Sequence, residues 1–269
     1  MQRFNIFPNS YYNYLKNKKS NCNSNKEKIV TEIKNIYHEH KGVDGYRSMR
    51  VFLERKNIKL SAQTVHKYMN KELKLYSVVR RKKPNYEKGN THKVFDNLIN
   101  QDFSAEKINQ KWCTDFTYLF LTDGTQYYNC SILNLYDRSI IASITDKNIN
   151  SDLAIRTLKK ALESQPKIDS KLILHSDQRS QYNSKDFTDF CKSVGIIQSM
   201  SKAGCPYDNA PMERYYNTLK NDCINLHYYH TYQELNTAIE EFAYVWYNHV
   251  RPHSYNDYKT PFEARCEKK

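Results

Sequence analysis

The sequence predicts an α/β fold, a mixed five-stranded sheet with helices on its faces, preceded by a small helical domain. Short β-rich runs joined by turn signals occupy residues 112–146, as in an antiparallel meander. Helical and strand patterns then alternate from residue 151 to residue 200. Residues 29–73 contain only helical patterns. A length of 269 residues suits one large domain with one or two small ones.

The first part of the chain is predicted to contain an N-terminal segment and linker at residues 1–25, followed by a helical domain at residues 26–78. The polar stretch Lys16–Lys28 has the composition of a linker. Apolar residues recur at helical spacing in Ile29–Tyr37 and again in Tyr46–Arg55. A third helix is predicted to begin after Ser61, a good N-cap residue.

This helical domain is also predicted to bind DNA. Short helices with a tight connection that carry Arg47, Arg50 and Lys67 suit a helix-turn-helix. A three-helix packing unit with a solvated basic face is the alternative. Residues 79–108 then form a basic linker, in which Arg80 and Arg81 are expected to lie along phosphates.

The excess of positive over negative charge lies entirely in residues 1–110. Residues 1–110 hold 23 Lys and Arg against 10 Asp and Glu, whereas residues 111–269 hold 19 of each. This distribution of the net charge of +13 indicates that the front half binds a polyanion. A general bias towards Lys and Asn is the alternative.

Cysteine usage and hydropathy indicate a cytoplasmic protein. The seven Cys form no C-x-x-C pair, so neither a zinc ribbon nor a disulfide framework is predicted. No apolar run reaches the roughly 18 residues of a membrane span, and the polar start is unlike a signal peptide. We therefore expect no membrane partner.

Residues 109–269 are predicted to form the α/β core with its C-terminal helices. The predicted strands are 112–121, 126–136, 139–146, 172–177 and 195–200. Helices are predicted at about 151–164 and 184–193, from Ala210, and after a capping box of Thr231 and Glu234. Trp112 is predicted to lie in the core.

Three acidic residues stand at the ends or edges of these elements. Asp115 lies in the first strand, Asp177 closes the fourth, and Glu213 lies one turn into the helix from Ala210. If the first and fourth strands are neighbours, the two aspartates share one rim of the sheet and Glu213 faces it. Lys220 lies two turns further along the stripe of Glu213.

Three carboxylates with open coordination positions suit Mg²⁺ or Mn²⁺. Two such ions, roughly 4 Å apart, polarise a scissile phosphate and stabilise both the attacking and the leaving oxygen. The sequence therefore predicts a divalent-metal phosphoryl-transfer site.

The residues around the three acids resemble a known family. The core motifs are His175-Ser176-Asp177-Gln178, Gln181-Tyr182, Tyr207-Asp208-Asn209-Ala210, Met212-Glu213 and Leu219-Lys220, and the closing motifs are Tyr247-Asn248, Arg251-Pro252-His253 and Thr260-Pro261. Together with Gly45-Tyr46-Arg47 and Ser10-Tyr11-Tyr12, they resemble the second-reading-frame product of the insertion-sequence-three family of bacterial transposases. The resemblance covers nearly the whole chain.

This resemblance implies a retroviral-integrase-like core of the ribonuclease H fold, with Asp115, Asp177 and Glu213 as a catalytic triad that binds two Mg²⁺ or Mn²⁺ ions. It implies that Lys220 contacts DNA near the cut. The implied activity frees a 3′-hydroxyl at the end of the element and joins it to target DNA. The implied partners are double-stranded DNA, further copies of the chain in a synaptic complex, and the helix-turn-helix protein of the upstream frame. Since the chain lacks a coiled-coil heptad pattern, we expect the unfused product, inactive alone.

Two positions depart from the family pattern. Arg179 stands where the family has Gly, and we expect it to resist the backbone conformation that Gly permits and to add positive charge near the metals. Arg179→Gly is therefore expected to raise cleavage. Asn256 and Asp257 replace the usual Leu-Gly, which leaves the packing of the tail open.

Three further residues have two interpretations each. His175 either tunes the site or packs beside the strand end, while Arg251 and His253 either serve the site or pin the last helix to the core. Two other functions also compete with transposition: a non-catalytic or decayed DNA-binding protein of the same element, and a nuclease of the ribonuclease H type.

Overall fold

The computed structural model describes residues 12, 15, 16, 18–78, 95–165, 168 and 171–267. The chain divides into two compact units, Met1–Arg80 and Arg81–Lys269. The boundary falls inside the predicted basic linker, and Arg80 and Arg81 lie outside the described residues, as do Ser10 and Tyr11 of the predicted start motif.

The first unit is helical. Helix α1 spans Lys18–Glu39, α2 spans Tyr46–Arg55, and α3 spans Ala62–His66 and continues as a π-helical turn over Lys67–Glu72. The side chain of Ser61 caps α3 by accepting a hydrogen bond from the backbone N–H of Thr64 at 3.1 Å, which confirms the predicted helix start. The core of the first unit is made of apolar residues from all three helices: Ile33, Ile36, Met49, Phe52, Leu53, Val65 and Met69.

The prediction of a linker at Lys16–Lys28 is wrong from Lys18 onwards, because α1 already begins there. The described side chains of Asn23, Ser24 and Asn25 are exposed, so this end of the helix needs no apolar stripe. Polar composition alone does not distinguish a solvated helical turn from a linker.

The second unit is built on one five-stranded sheet in the order β3-β2-β1-β4-β5. The strands are β1 (Lys111–Phe120), β2 (Gln126–Asn134), β3 (Ile140–Asp146), β4 (Ile173–Ser176) and β5 (Ile197–Met200). The first three pair antiparallel, whereas β4 and β5 run parallel to β1. The predicted meander, the β1–β4 pairing and the ribonuclease H-like mixed sheet are confirmed.

Helices cover both faces of this sheet. They are α4 (Ser151–Ser164), α5 (Ser180–Asn183), α6 (Lys185–Ser193), α7 (Ala210–Asp222), α8 (Tyr232–Glu240, extended by a π-helix over Glu241–Val250) and α9 (Pro261–Glu267). Short 3₁₀ turns lie at Pro206–Asn209, Ile224–Leu226 and Ser254–Asn256. The capping box of Thr231 and Glu234 is present. The helix predicted at 184–193 is observed as α6, with the separate short α5 before it.

Alternate residues of β1 enter two different cores. Trp112 and Phe116 pack in a cluster with α4 and α6, while Cys113 and Leu119 pack in a cluster with α7 and α8. Trp112 is fully buried, as predicted. Because side chains alternate along a strand, Asp115 shares the face of Cys113 and Leu119, which is the face of α7.

The segment before β1 packs on the sheet, although it was assigned to the basic linker. The backbone N–H of Leu98 donates to the Ser199 hydroxyl at 2.9 Å, and Ile99 is buried. Within the described part of the chain, no helix is long and apolar enough to cross a membrane.

Candidate active site

Strand register brings the two aspartates to the same rim of the sheet. Cys113 of β1 is paired in parallel with His175 of β4, and this is the last paired position of the two strands. Asp115 and Asp177 each lie two residues beyond that pair, so they occupy equivalent positions past the point where the ladder ends.

Helix α7 carries Glu213 in its first turn, and two side chains tie this helix to β1. The Asn209 amide donates to the carbonyl of Thr114 at 3.1 Å, and the Tyr216 hydroxyl donates to the carbonyl of Asp115 at 2.6 Å. These two bonds hold the start and the second turn of α7 against the strand segment that bears Asp115.

Asp115 lies within electrostatic reach of both other acids. Burial raises the pKa of Asp115 to about 7, with a further contribution from the charge of Asp177 and a smaller one from Glu213. Burial also raises the pKa of Asp177 and that of Glu213. The ionised form of carboxylates with raised pKa values is stabilised by a neighbouring cation.

Arg179 provides such a cation beside Asp177 and Asp115. Its Nε lies 2.8 Å from Oδ2 of Asp177, and its Nη2 lies 3.9 Å from Oδ1 of Asp115. Burial by itself lowers the pKa of Arg179, but the charges of Asp115 and Asp177 outweigh this effect and raise it above its ordinary value. The predicted positive charge at this position is therefore present.

The prediction that Arg179 resists the backbone conformation required at this position is wrong. Arg179 has φ −63° and ψ 146°, an extended conformation that any residue adopts, and it precedes the short helix α5. A glycine is therefore not required here for conformational reasons, and whatever Arg179 changes at the site comes from its side chain.

Lys220 lies near the same group of charges, two turns after Glu213. Burial lowers the pKa of Lys220, the charge of Asp115 raises it, and the charge of Arg179 lowers it. The structure thus brings Lys220 within electrostatic reach of Asp115 and Arg179.

His175 has a structural environment. Its ring is fully buried, with Nδ1 2.9 Å from the Ser199 hydroxyl and Nε2 3.2 Å from the Ser201 hydroxyl. Burial lowers the pKa of His175 to about 4, so the ring is neutral at pH 7. These contacts favour the packing interpretation, in which His175 joins β4 to β5 just before Asp177.

Arg251 and His253 lie where the π-helix after α8 ends. Arg251 forms an ion pair with Asp222 at the end of α7, with 3.5 Å between Nε and Oδ2. The His253 ring accepts a hydrogen bond from the backbone N–H of Tyr255 at 3.3 Å and contacts the ring of Tyr247. These contacts favour the interpretation that both residues fasten the C-terminal helices to the core.

Among the predicted DNA contacts of the helical unit, Arg47 on α2 and Lys67 at the end of α3 are exposed, and Arg50 is partly buried. The Arg47 guanidinium lies over the ring of Tyr46, with 5.6 Å to the centroid. Their role in DNA binding stays a prediction.

Asp208 and Tyr216 are site residues whose roles were not predicted. Asp208 is buried, and its carboxylate accepts from the Asn97 amide at 2.9 Å, the Gln101 amide at 2.8 Å and the Lys202 backbone N–H at 2.8 Å. It thereby fixes the loop that leads into α7. The motif Tyr207-Asp208-Asn209-Ala210 was the available signal for Asp208, whereas a tyrosine inside a helix gave none for Tyr216.

Comparisons with known proteins agree with this architecture. Residues 105–206 and 194–261 each match an integrase core domain family, and residues 24–83 match an HTH-like domain family. The fold and these matches define a protein with an integrase-type core and an HTH-like domain.

Whole-chain relatives narrow this class. The transposase for insertion sequence element IS904 of Lactococcus lactis is 34% identical over 240 residues, which are 88% of this chain and 92% of the relative. The putative transposase InsK for IS150 of Escherichia coli is 30% identical over 88% of this chain and 82% of its own. The chain belongs to the IS3 family of insertion-sequence transposases.

Solved structures with a similar fold include the HTLV-2 integrase catalytic core domain in complex with magnesium. It is 21% identical to this chain, with a TM-score of 0.45, over 58% of this chain and 96% of that one.

Proposed function

We propose that this transposase cleaves the ends of an insertion sequence and joins the freed 3′-hydroxyl to target DNA at a site formed by Asp115, Asp177 and Glu213. The observation that carries the proposal is the convergence of three carboxylates from β1, β4 and α7 beside Lys220, in a chain of the IS3 family. Both steps are in-line displacements at phosphorus, so one site serves both.

We propose that the site holds two Mg²⁺ or Mn²⁺ ions. Asp115, Asp177 and Glu213 would supply hard oxygen donors, and the bound Arg179 guanidinium supports a cation position between the two aspartates. In the described residues, no three acidic, His or Cys side chains are grouped closely enough to hold a metal ion. Divalent ions, when bound, supply polarisation of the scissile phosphate and stabilisation of the leaving oxygen.

The residues of the chain bind and orient the DNA. Lys220 is proposed to bind a phosphate near Asp115, whose charge acts on it. Asn209 and Tyr216 hold α7 against β1, so that Glu213 stays aligned with Asp115. The basic helical unit, through Arg47, Arg50 and Lys67, is proposed to bind the ends of the element.

The proposed partners follow from the family. The element ends and the target are double-stranded DNA, and by analogy with the family we propose that at least two copies of the chain hold the two ends together. The helix-turn-helix protein of the upstream frame is a further proposed partner.

The second candidate function is a DNA-binding protein of the same element that does not cut. One observation favours it, namely that the Arg179 guanidinium is bound to two of the three acids.

One assay separates these functions and the nuclease alternative. The protein is incubated with labelled DNA from the ends of its element, a target duplex and Mn²⁺, and is compared with Asp177→Asn. The control Asp186→Asn changes an exposed carboxylate in the first turn of α6. We expect joined products from the wild type and the control, and a loss of roughly 100-fold or more in Asp177→Asn. Cut but unjoined DNA would indicate a nuclease, and shifted but uncut DNA a binder.

A further inference from the structure

Arg179 makes an unusually complete set of contacts for a side chain at the rim of a sheet. Besides its ion pairs with Asp177 and Asp115, its Nη1 donates to the carbonyl of Phe116 at 3.3 Å. Its guanidinium lies over the ring of Tyr118, with 5.5 Å to the centroid. Its backbone N–H donates to Oδ1 of Asp177 at 3.1 Å. The guanidinium is thus held in place from four sides.

We propose that the Arg179 guanidinium is an internal cation that occupies the binding position between Asp115 and Asp177, so that a divalent metal must displace it and Arg179 sets the metal affinity of the site. This inference rests on the proposed function, since it concerns the same carboxylates.

Competition follows from the atoms involved. The guanidinium binds Oδ2 of Asp177 and approaches Oδ1 of Asp115, so it lies where a metal ion that joins the two carboxylates would lie. An arginine keeps its charge at every pH that proteins tolerate, so it does not leave by losing a proton. The metal therefore gains the carboxylates only when the side chain moves away.

The structure provides a path for that movement. The side chain of Arg179 is 30% exposed, against 15% for Asp115 and 29% for Asp177, so the guanidinium is open to solvent and no more buried than either carboxylate. Tyr118, on which it rests, is itself exposed on β1. The guanidinium can swing outwards along this ring while the buried core residues stay in place.

The size of the effect follows from the charges. A single opposite charge within about 4–6 Å shifts the protonation equilibrium of a carboxylate by 1–3 pKa units, which is a factor of about 10 to 1,000. The affinity for a divalent ion in the same place is expected to respond at least as strongly. Removal of the guanidinium should therefore tighten metal binding by about tenfold or more.

The test measures Mn²⁺ binding to the full-length protein without DNA, by titration calorimetry and by the electron paramagnetic resonance signal of free Mn²⁺. Arg179→Gln keeps most of the side-chain length and removes the charge, whereas Arg179→Lys keeps the charge. Arg156→Gln is the matched control, because Arg156 also joins two aspartates, Asp146 and Asp152, on the surface around α4. Far-UV circular dichroism verifies that each variant is folded.

We expect Arg179→Gln to bind Mn²⁺ about tenfold or more tightly than the wild type, with Arg156→Gln unchanged and Arg179→Lys nearer to the wild type. We also expect a lower thermal midpoint for Arg179→Gln in EDTA and a larger rise on addition of Mn²⁺. Equal Mn²⁺ affinity in Arg179→Gln and the wild type would overturn the inference and leave the proposed function standing. If neither protein binds Mn²⁺ at millimolar concentration, both are overturned.

Discussion

Replacing Tyr216 by Phe tests how the site is positioned without touching an acid. The Tyr216 hydroxyl lies 2.6 Å from the carbonyl oxygen of Asp115 and 3.2 Å from that of Asn129, and the side chain is only 5% exposed. The substitution removes one oxygen atom and leaves the ring packing unchanged. Whatever follows therefore comes from the hydrogen bonds that tie α7 to β1 and β2.

The expected magnitude comes from burial. A buried hydrogen bond stabilises a protein by about 0.5–1.5 kcal/mol, and a buried acceptor left without its donor costs about 1–3 kcal/mol. We therefore expect the free energy of unfolding to fall by about 2 kcal/mol. For a unit of this size, that lowers the thermal midpoint by roughly 4–8 °C. Because small displacements of catalytic groups are costly, we expect strand joining to fall by about tenfold.

The assay combines thermal denaturation with strand joining on end DNA in Mn²⁺. The control is Tyr232→Phe, in which a tyrosine hydroxyl 3.0 Å from the carbonyl of Thr145 is removed away from the three acids. This control should lose some stability and keep its joining rate at a temperature where both variants are folded. Full joining activity in Tyr216→Phe, or an equal loss in both variants, would refute the positioning role.

Four further predictions concern other parts of the second unit. Lys220→Met should lower strand joining roughly tenfold without weakening Mn²⁺ binding, since its proposed partner is a phosphate; weaker Mn²⁺ binding in calorimetry would contradict this. Arg265→Ala removes the guanidinium that pairs with the fully buried Asp137, with 2.5 Å between Nε and Oδ2. The free energy of unfolding in urea should fall by about 3 kcal/mol, and a fall below about 1 kcal/mol would argue against this ion pair. Asp257→Gly should raise the thermal midpoint, because φ of 52° at Asp257 costs an L-residue about 1 kcal/mol; a lower midpoint would show that the Asp257 side chain stabilises the turn. Burial and nearby arginines lower the pKa of His253 to about 3, below its unfolded value of about 6.5. The neutral ring therefore stabilises the fold above pH 6.5, and this stability is lost as the pH falls. Between pH 7 and pH 5 the wild type should therefore lose about 1–2 kcal/mol more than His253→Asn in urea unfolding, and parallel pH profiles would rule this out.

Much of the fold was predictable because its signals are local. The β-rich runs of the meander and the capping residues Ser61 and Thr231 are recognisable in short stretches of sequence, and the structure confirms the elements that they predict. The start of α1 was missed, because solvent-exposed helical turns carry no apolar pattern. The packing of residues 95–108 was missed as well, since it depends on contacts with strands far along the chain, such as that between Leu98 and Ser199.

The sequence indicated the strand positions of two of the candidate acids better than their surroundings. The pairing of β1 with β4 puts Asp115 and Asp177 at equivalent positions, whereas the role of these acids and of Glu213 as a triad stays a prediction. The sequence predicts a positive charge at Arg179. Its ion pairs with both aspartates depend on the side-chain conformation of Arg179, which the sequence does not give. The Tyr216 bond to β1 likewise requires the three-dimensional register of α7 on the sheet.

The tail shows a similar division. The sequence does not predict how Asn256 packs, because Asn256 replaces an apolar residue of the family pattern. In the structure Asn256 is buried, and its amide donates to the carbonyl of Asp137 at 2.7 Å. The position of Asp257 has φ of 52°, which explains why glycine suits it. These contacts close the C-terminal segment on the turn between β2 and β3.

The central claim is that a metal ion binds between Asp115, Asp177 and Glu213, and backbone cleavage by bound iron tests it most directly. Fe²⁺ replaces Mn²⁺ in the folded protein, ascorbate and peroxide generate radicals at the ion, and mass spectrometry locates the cuts. We expect cuts close to residues 115, 177 and 213, stronger in Arg179→Gln, and suppressed by excess Mn²⁺. Cuts confined to other regions, or cuts near these residues that excess Mn²⁺ does not suppress, would contradict the assignment of the site.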